Sequence, residues 1–344
     1  MKTEVIICVL VLILTAFSGN VMAGSEVDSN TLYGRNAGSS IAGGHDNTFI
    51  GYYAGQKTDI GINNTFVGSC AGYGNTGNWN SFIGFYAGSS NTTGNLNTFI
   101  GQKAGFSNTT GGANIFIGSS AGFDNTDGDA NTFIGNAAGY KNTTGYYNIF
   151  LGNGAGYKNT TGHYNTSLGF SAGYSNTTGN GNVFLGYNAG YYETGSNKLY
   201  ISNSDTSTPL IYGDFSTGTV VIHGKITLQS TREAKDEIAS LTTQEAMDAL
   251  EGLRPVTFVY RADRTERHAG FIAEDVPDLV TTKDRKGVNP LDIVTVLTKV
   301  VQEHQTELAG LKALKAKVHQ QEEVISRLVA EINLLKTKYM IVQR

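Results

Sequence analysis

Residues 97–105 read Asn-Thr-Phe-Ile-Gly-Gln-Lys-Ala-Gly, and variants of this stretch occur ten times between residues 30 and 196. Most copies lead into a turn-forming segment such as Asn-Thr-Thr-Gly at 108–111. A short fixed period is typical of a solenoid, in which each unit packs only on its neighbours. The first glycine of the motif recurs every 17 residues, with one step of 16, at Gly34, Gly51, Gly68, Gly84, Gly101, Gly118, Gly135, Gly152, Gly169 and Gly186.

The apolar pair of the motif, Phe99-Ile100 in this copy, favours a β-strand, and the glycine-rich remainder supplies turns. A unit of this length is too short for a helical hairpin. We therefore expect each repeat to form one coil of a β-roll or β-helix. Ten coils at about 4.8 Å each would make a rod on the order of 50 Å long.

Neighbouring side chains on a strand point to opposite faces, so the adjacent Phe and Ile columns lie on different sides of the sheet. One column can fill the interior of the coil, and the other needs cover from elsewhere. We expect that cover to come from further copies of the chain, most simply in a homotrimer. The alternative is a flattened single coil that hides both columns itself.

The asparagine column from Asn30 to Asn182 is complete, and stacked asparagines can form amide ladders along a solenoid. This structural role is sufficient, so we assign no chemistry to the column. Calcium-binding repeats need an aspartate in each unit, and acidic residues are sparse here. We therefore expect neither a metal nor a cofactor.

The repeats resemble the left-handed β-roll head repeats of trimeric autotransporter adhesins, in which an apolar pair, a glycine, two variable residues and an alanine also follow one another. This resemblance covers about half of the chain and implies a trimeric surface fibre. One departure from those adhesins matters: we expect no membrane β-barrel, which is their anchor, after the repeats.

The N-terminus reads as a secretory signal peptide over residues 1–23, because Lys2 precedes an apolar run from Val5 to Leu14 and then Val-Met-Ala at 21–23. The run is short for a membrane span, although an uncleaved anchor is the alternative. Cys8 would leave with the leader, so Cys70 would be the only thiol of the mature chain and could form only an intermolecular disulfide.

The segment 197–229 follows the repeats of residues 24–196, and we expect it to form a β neck of three strands that closes the roll. His223 stands alone in the last of these strands and is read as a surface or interface residue. The composition then changes to charged, helix-forming sequence at residue 230. We divide this part into a domain at 230–310 and a coiled coil at 311–344.

Three motifs in this last part carry a second resemblance. They are Ser-Thr-Arg-Glu-Ala-Lys-Asp-Glu-Ile at 230–238, Leu-Glu-Gly-Leu-Arg-Pro-Val-Thr-Phe-Val-Tyr at 250–260 and Ala-Gly-Phe-Ile-Ala-Glu-Asp-Val at 269–276, before Gly-Val-Asn-Pro-Leu-Asp-Ile-Val at 287–294. In this order they resemble the endosialidase-type intramolecular chaperone domain of phage tailspikes and tail fibres. The resemblance implies a domain that trimerises, guides the folding of the β-rich part before it, and then cuts itself off.

The same resemblance implies a catalytic Ser-Lys dyad, with Ser230 as the nucleophile and Lys235 as the general base. A serine hydroxyl needs a base to take its proton, and a lysine can be that base only if burial lowers its pKa. The bond Gln229-Ser230 is the favoured cleavage site. We expect Ser230 in an extended segment and Lys235 in the first turn of a helix.

The chain departs from the family pattern at Thr231, Glu237 and Glu274, where the family usually has Asp, often has Asn and commonly has Gln. A different interpretation of Ser230 needs no catalysis, because Ser230-x-x-Glu233 has the pattern of a helix capping box. A third catalytic member could be His268, but a lone histidine in a charged loop is usually only solvated, so we leave it out of the dyad.

Helices are expected at about 231–251 and from about 290 to the C-terminus, with strands at 255–260 and 269–273 between them. The last helix shows heptads with a polar Gln321 that can fix the register. The residue types at the two core positions favour a dimer. The β-roll and the family resemblance favour a trimer, and one symmetry must hold for the whole fibre, so we expect a trimer. The two core positions are filled by Leu311, Val318, Ile325, Ile332 and Tyr339 and by Leu314, Gln321, Leu328, Leu335 and Val342.

We therefore interpret the chain as a secreted or cell-surface fibre whose tail assembles it and cuts next to Ser230. A net charge of -4 without a basic stripe argues against nucleic acid. A glycan- or ice-binding rod is the alternative, based on threonines such as Thr48 and Thr98, although Ile115 and Ile149 interrupt that column. The repeats lack the paired carboxylates that a depolymerase would need.

Overall fold

The computed structural model describes residues 29–227, 230–261 and 264–342. The chain divides into two compact units, the first ending at Thr227 and the second beginning at Leu228. The predicted signal peptide and the predicted scissile residue Gln229 lie outside the described residues. Within the described part, no helix has the length and apolar character that crossing a membrane requires.

The first unit is a β-solenoid of ten coils, as the repeat predicts. Each coil contributes one three-residue strand, and successive strands pair in parallel with no shift of register, for example Thr98↔Ile115 and Phe99↔Phe116. The strands are β1 (Thr31–Tyr33), β2 (Thr48–Ile50), β3 (Thr65–Val67), β4 (Ser81–Ile83), β5 (Thr98–Ile100), β6 (Ile115–Ile117), β7 (Thr132–Ile134), β8 (Ile149–Leu151), β9 (Thr166–Leu168) and β10 (Val183–Leu185).

A single file of phenylalanine rings fills the interior of the solenoid. The rings from Phe49 to Phe150 are fully buried or nearly so, and successive ring centroids lie 4.7–4.9 Å apart. The Ala-Gly pair of the motif lines this file. A Cβ atom on Gly55 would lie 2.5 Å from Phe49 Cε2, so only glycine fits against the ring there.

Buried asparagines hold neighbouring coils together in two columns. In the predicted column, the side chain mostly serves the backbone: Asn80 Oδ1 accepts the N–H of Asn97, and Asn97 Nδ2 donates to the Gly111 carbonyl. The regular ladder of amide to amide lies in a second column, where Asn108 Nδ2 donates to Asn91 Oδ1 at 2.6 Å. The predicted amide ladder therefore exists, but chiefly in the turn asparagines rather than in the strand-flanking ones.

The isoleucine column faces outward and is only partly covered by its own chain. Ile50, Ile83 and Leu151 keep 37%, 41% and 39% of their surface exposed, whereas the phenylalanines beside them are at most 1% exposed. A single coil therefore does not hide both columns, and the flattened-coil alternative is wrong. Cys70 is a free thiol but lies buried in its coil, which disfavours an intermolecular disulfide in the folded protein.

The phenylalanine file is interrupted in the ninth coil, where Ser167 takes the place of the ring. The buried apolar residues consequently fall into two clusters, one ending at Ala155 and one formed by Ala172, Phe184, Ala189 and Tyr200. The space beside Ser167 is too narrow for a water molecule, because the Phe184 ring leans towards it over Gly173, and the buried atoms Asn159 Oδ1 and Asn176 Nδ2 have no hydrogen-bond partner among the described residues. The ninth coil is therefore the weakest point of the core.

Replacing Ser167 with phenylalanine should stabilise the solenoid by about 1 kcal/mol, because the change restores the repeated residue of the column and rejoins the two clusters, with the Phe184 ring shifting away from Gly173 to make room. Thermal unfolding followed by circular dichroism measures the effect. Ser175→Phe is the matched control, since it adds the same ring at the outer surface of the same coil. An equal or lower melting temperature for Ser167→Phe would show that the break is not a packing defect.

The predicted β neck is present as three strands. The strand β11 (Lys198–Ile201) continues the solenoid in parallel with β10, and β12 (Ile211–Asp214) and β13 (Thr219–Ile222) follow in antiparallel pairing. Tyr200 closes the coil interior, and its hydroxyl donates to Glu193 Oε2 at 2.8 Å. Polar and aromatic groups thus cap the end of the phenylalanine file.

An ion pair fixes β11 to β12. Lys198 Nζ lies 2.5 Å from Asp214 Oδ2, and the Ser216 hydroxyl and backbone N–H donate to Asp214 Oδ1. The hydrogen bond from Lys198, followed by those from Ser216, holds the pKa of the Asp214 carboxyl far below its usual range. The same contact raises the pKa of Lys198.

Because the folded-state pKa of Asp214 is depressed, its contribution to stability is present above the unfolded pKa of about 3.9 and is lost as the pH falls further. The melting temperature of Asp214→Asn should therefore lie below that of the unaltered protein from pH 5 to 8. The gap should shrink as the pH falls below about 4. Asp205→Asn, an exposed carboxylate in the preceding loop, is the control. A gap that stays constant down to pH 2 would contradict this assignment.

The second unit begins with a short 3-10 turn at Arg232–Ala234, and its first α-helix, α1 (Thr243–Gly252), starts only at residue 243. The predicted start at residue 231 is therefore wrong. Thr242 and Glu245 form the capping box that begins α1, whereas Glu237 has a left-handed backbone with φ 51° that ends any earlier helix.

Two short strands and a long helix complete the second unit. The strands β14 (Val256–Phe258) and β15 (His268–Gly270) pair in antiparallel, and α2 (Pro290–Val342) is a single helix. The helix α1 packs on the first turns of α2, where Ala246, Ala249, Val296 and Val300 are buried with Val276 and Val280. A 3-10 turn at Asp278–Val280 precedes the helix.

Beyond Val300, the apolar residues of α2 are exposed in the single chain. They include Leu311, Leu314, Ile325 and Leu328, each of which keeps at least half of its surface open. These are the predicted heptad core positions, so the stripe is arranged as a coiled coil requires. The side chains of Tyr339 and Val342 lie outside the described residues.

Candidate self-cleavage site

The segment from Ser230 to Lys235 folds into one compact turn. Thr231 is extended, with φ -77° and ψ 154°, and Arg232–Ala234 form a single 3-10 turn. Lys235 returns to an extended backbone with φ -138° and ψ 134°, and its N–H donates to the Arg232 carbonyl. The turn brings the side chains at its two ends, Ser230 and Lys235, within reach of each other.

This geometry joins the two predicted dyad residues. Lys235 Nζ donates to Ser230 Oγ at 2.6 Å. We expected Lys235 in the first turn of an α-helix, which is wrong, because the contact is made by the end of a 3-10 turn instead. A spacing of five residues does not align side chains on an α-helix, but one tight turn between two extended residues does align them.

The capping interpretation of Ser230 is not supported by the structure. The residue that precedes the 3-10 turn is Thr231, and no side chain caps that turn. The Ser230 hydroxyl is instead engaged by Lys235, and the real capping box lies twelve residues further on, at Thr242 and Glu245. The predicted Ser230–Glu233 box is therefore wrong.

Both dyad residues are exposed in the single chain, as are all residues from Ser230 to Ser240. A lysine accepts a proton only as the neutral amine, and burial is the usual cause of that state. The single chain supplies the contact between the two groups but not the burial. As it stands, the site is assembled but open to water.

The other two motifs form the body of the domain. The segments at 250–260 and 269–276 supply the β14–β15 pair and a connection that Arg285 holds in place. Arg285 Nη2 donates to the carbonyls of Glu274 and Val276 at 2.7 and 2.8 Å, and its Nη1 pairs with Asp278. Sequence reasoning missed Arg285, because its partners lie up to eleven residues away and no local pattern marks them.

The structure gives His268 a place in β15 rather than in a charged loop. Its ring centroid lies 5.1 Å from that of Tyr260 and 6.0 Å from that of Phe258. These aromatic contacts account for the residue without a catalytic role. Among the described residues, no group of His, Cys, Asp or Glu side chains is arranged to hold a metal ion.

Comparison with known proteins supports the second resemblance. The family model described as the chaperone of endosialidase matches residues 230–283. The match starts at Ser230 and contains Lys235, the helix α1 and the β14–β15 pair. No curated protein and no solved structure matches the chain. The C-terminal unit therefore carries a domain of this chaperone family behind a β-solenoid, an arrangement that fits a tail-fibre-like protein.

Proposed function

We propose that the chain is a secreted, homotrimeric fibre protein whose C-terminal domain aligns three solenoids and then releases itself by cutting the Gln229-Ser230 bond. The observation that carries this proposal is the 2.6 Å contact between Lys235 Nζ and Ser230 Oγ. It lies at the first residue of the segment that matches the chaperone family. A pair of this kind has no evident structural purpose on an exposed turn, where hydrogen bonds add little stability.

The chemistry needs only the two side chains and water. Neutral Lys235 removes the proton from Ser230 Oγ, which attacks the carbonyl carbon of residue 229. The C–N bond breaks, the amide nitrogen of Ser230 takes a proton and becomes a free amine, and an ester joins residue 229 to Oγ. Water then hydrolyses the ester, which leaves a carboxylate at residue 229 and restores the serine hydroxyl. Each chain performs this reaction once.

Trimer assembly would supply the burial that the single chain lacks. Both dyad residues are exposed in the single chain. The apolar stripe of α2, which follows them in the same unit, is exposed as well. If three copies pack around that stripe, neighbouring chains can exclude water from the amine of Lys235, and burial disfavours its charged form. Cleavage would then follow assembly, so that the chaperone domain is released only after the three chains have assembled.

The solenoid gives a physical reason for such a helper. Its coils repeat almost unchanged, and every strand pairs in the same register, so a slip by one coil preserves most contacts. Pairings between distant chain segments also form slowly. A trimeric coiled coil that holds three chains in register would prevent the slip and speed up the pairing. The outward isoleucine column, partly exposed along its length, is the surface that three aligned solenoids would cover.

The mass and oligomeric state of the secreted product test this proposal. We expect fragments of residues 24–229 and 230–344, with the solenoid fragment running as a trimer in native mass spectrometry. A trimer of uncleaved chains would refute the self-cleavage and leave the chaperone role standing. A monomeric solenoid fragment would refute both roles.

A further inference from the structure

One heptad column of α2 continues towards the N-terminus beyond Leu311. Seven residues before Leu311 lies His304, and seven residues before His304 lies Leu297. Residues seven apart on a helix occupy the same position of a coiled coil. His304 is therefore a core residue, and it interrupts a column that is otherwise apolar from residue 297 to residue 332. The column reads Leu297, His304, Leu311, Val318, Ile325 and Ile332.

The neighbours of His304 leave this part of α2 open to a partner helix. The helix α1 covers the opposite side of the first turns, where Val296 and Val300 are buried. Val301 and Leu308, which lie three residues before and four residues after His304, are exposed. Residues at these spacings are neighbours on a helix surface. Further copies of α2 can thus pack around His304 without displacing α1.

The single chain gives His304 no partner. Its side chain is exposed and, in the part of the chain that the structure describes, makes no hydrogen bond or ion pair. His319, the other histidine of α2, lies one residue beyond the core column and contacts its own helix. Its two ring nitrogens lie 3.5 and 3.7 Å from the carboxylates of Glu322 and Glu323. Both ring nitrogens of His304 remain available.

Threefold symmetry would bring three of these imidazoles together. In a parallel homotrimer each core position occurs three times in one layer around the axis. The His304 layer would lie between the apolar layers of Val301 and Leu308, which exclude water. Buried ring nitrogens without a partner are costly. Three imidazole nitrogens around one point are also the ligand set of an open zinc site.

We propose that the three copies of His304 bind one divalent transition-metal ion of the zinc class on the axis of the coiled coil. This inference rests on the proposed trimer, because within the described residues of one chain no group of His, Cys, Asp or Glu side chains can hold a metal. Glu307 lies three residues after His304, so its carboxylate can accept the N–H of the second ring nitrogen.

The ion has a definite effect on assembly. It finds its three ligands only when the three copies of His304 lie at the same height. Binding therefore stabilises the in-register trimer over any arrangement in which one helix has slipped along another. The metal thus supports the alignment that the solenoids need, at the end of α2 that lies nearer to them in sequence.

Titration of the full chain with zinc chloride tests this site, with Ser230→Ala included so that the two units stay joined. We expect one zinc ion per three chains in dialysed protein and a melting temperature about 5 °C above that measured in EDTA. His304→Leu should lose this zinc ion and keep the trimer, since leucine restores the apolar column. His319→Leu, outside the column, is the matched control and should bind zinc normally.

Analytical ultracentrifugation in EDTA and in zinc separates this inference from the proposed function. A trimer that binds no zinc would overturn the metal site and leave the trimer standing, as would His304→Leu that binds zinc as tightly as His319→Leu. A chain that stays monomeric in both buffers would overturn the site and the trimer together. A monomer that becomes a trimer only in zinc would support both.

Discussion

Ser230→Ala is expected to leave the secreted chain in one piece, with no fragment of residues 230–344 detectable. The substitution removes the atom that would attack the carbonyl of residue 229, and loss of a nucleophile typically slows such a reaction by at least about a thousandfold. The turn at Arg232–Ala234 does not depend on the serine side chain. The variant should therefore fold and trimerise, which gel electrophoresis and light scattering of the purified product can establish.

Two companion variants make this result specific. Lys235→Arg keeps the positive charge and the reach to Ser230, but a guanidinium does not release its proton, so it should also block cleavage. Ser240→Ala removes an equally exposed hydroxyl ten residues further on and should be cut normally. Cleavage of Ser230→Ala at the same bond would refute the dyad.

Leu328→Asp is expected to convert the proposed trimer into monomers. Leu328 lies at a heptad core position of α2 and is exposed in the single chain, so the change costs the isolated helix little. In a trimer it would bury three unpaired carboxylates at one layer, each at a cost of several kcal/mol. Analytical ultracentrifugation would report the loss, and the solenoid should then assemble slowly or aggregate.

The matched control is Arg327→Asp, which introduces the same residue one position earlier, on the outer side of the predicted coiled coil. It should leave the trimer intact. If assembly buries the dyad, Leu328→Asp should also abolish self-cleavage while keeping Ser230 and Lys235. A cleaved monomer would show that the single chain activates the site by itself. An intact trimer would show that the coiled coil of α2 does not hold the three chains together.

Sequence alone predicts the solenoid because its signals are repeated. Each error in reading one coil is corrected by nine others, and the adjacency of Phe99 and Ile100 places the two apolar columns on opposite faces. The break at Ser167 is visible as a departure from the pattern, but its effect on the core depends on the neighbouring rings. The roles of the two asparagine columns likewise depend on which carbonyls come within reach, which no local pattern states.

The second unit is harder to predict, because its signals compete. Two capping patterns, at Ser230 and at Thr242, precede the same helix-forming stretch, and only the folded chain shows that Thr242 begins α1. The pair Ser230 and Lys235 follows from the resemblance, and the structure brings the two side chains together. The local sequence favours the 3-10 turn that does so only weakly, so the turn could not be predicted.

The in-register stacking of coils two to eight has an evolutionary consequence. Because each of these coils offers the next one the same ring, the same alanine and the same glycine, a gene that gains or loses one whole coil creates no new kind of junction. Rod length can therefore drift by recombination within this section at little cost in folding. Duplication of the ninth coil would instead copy the break in its file of rings, so variation in length should spare that coil.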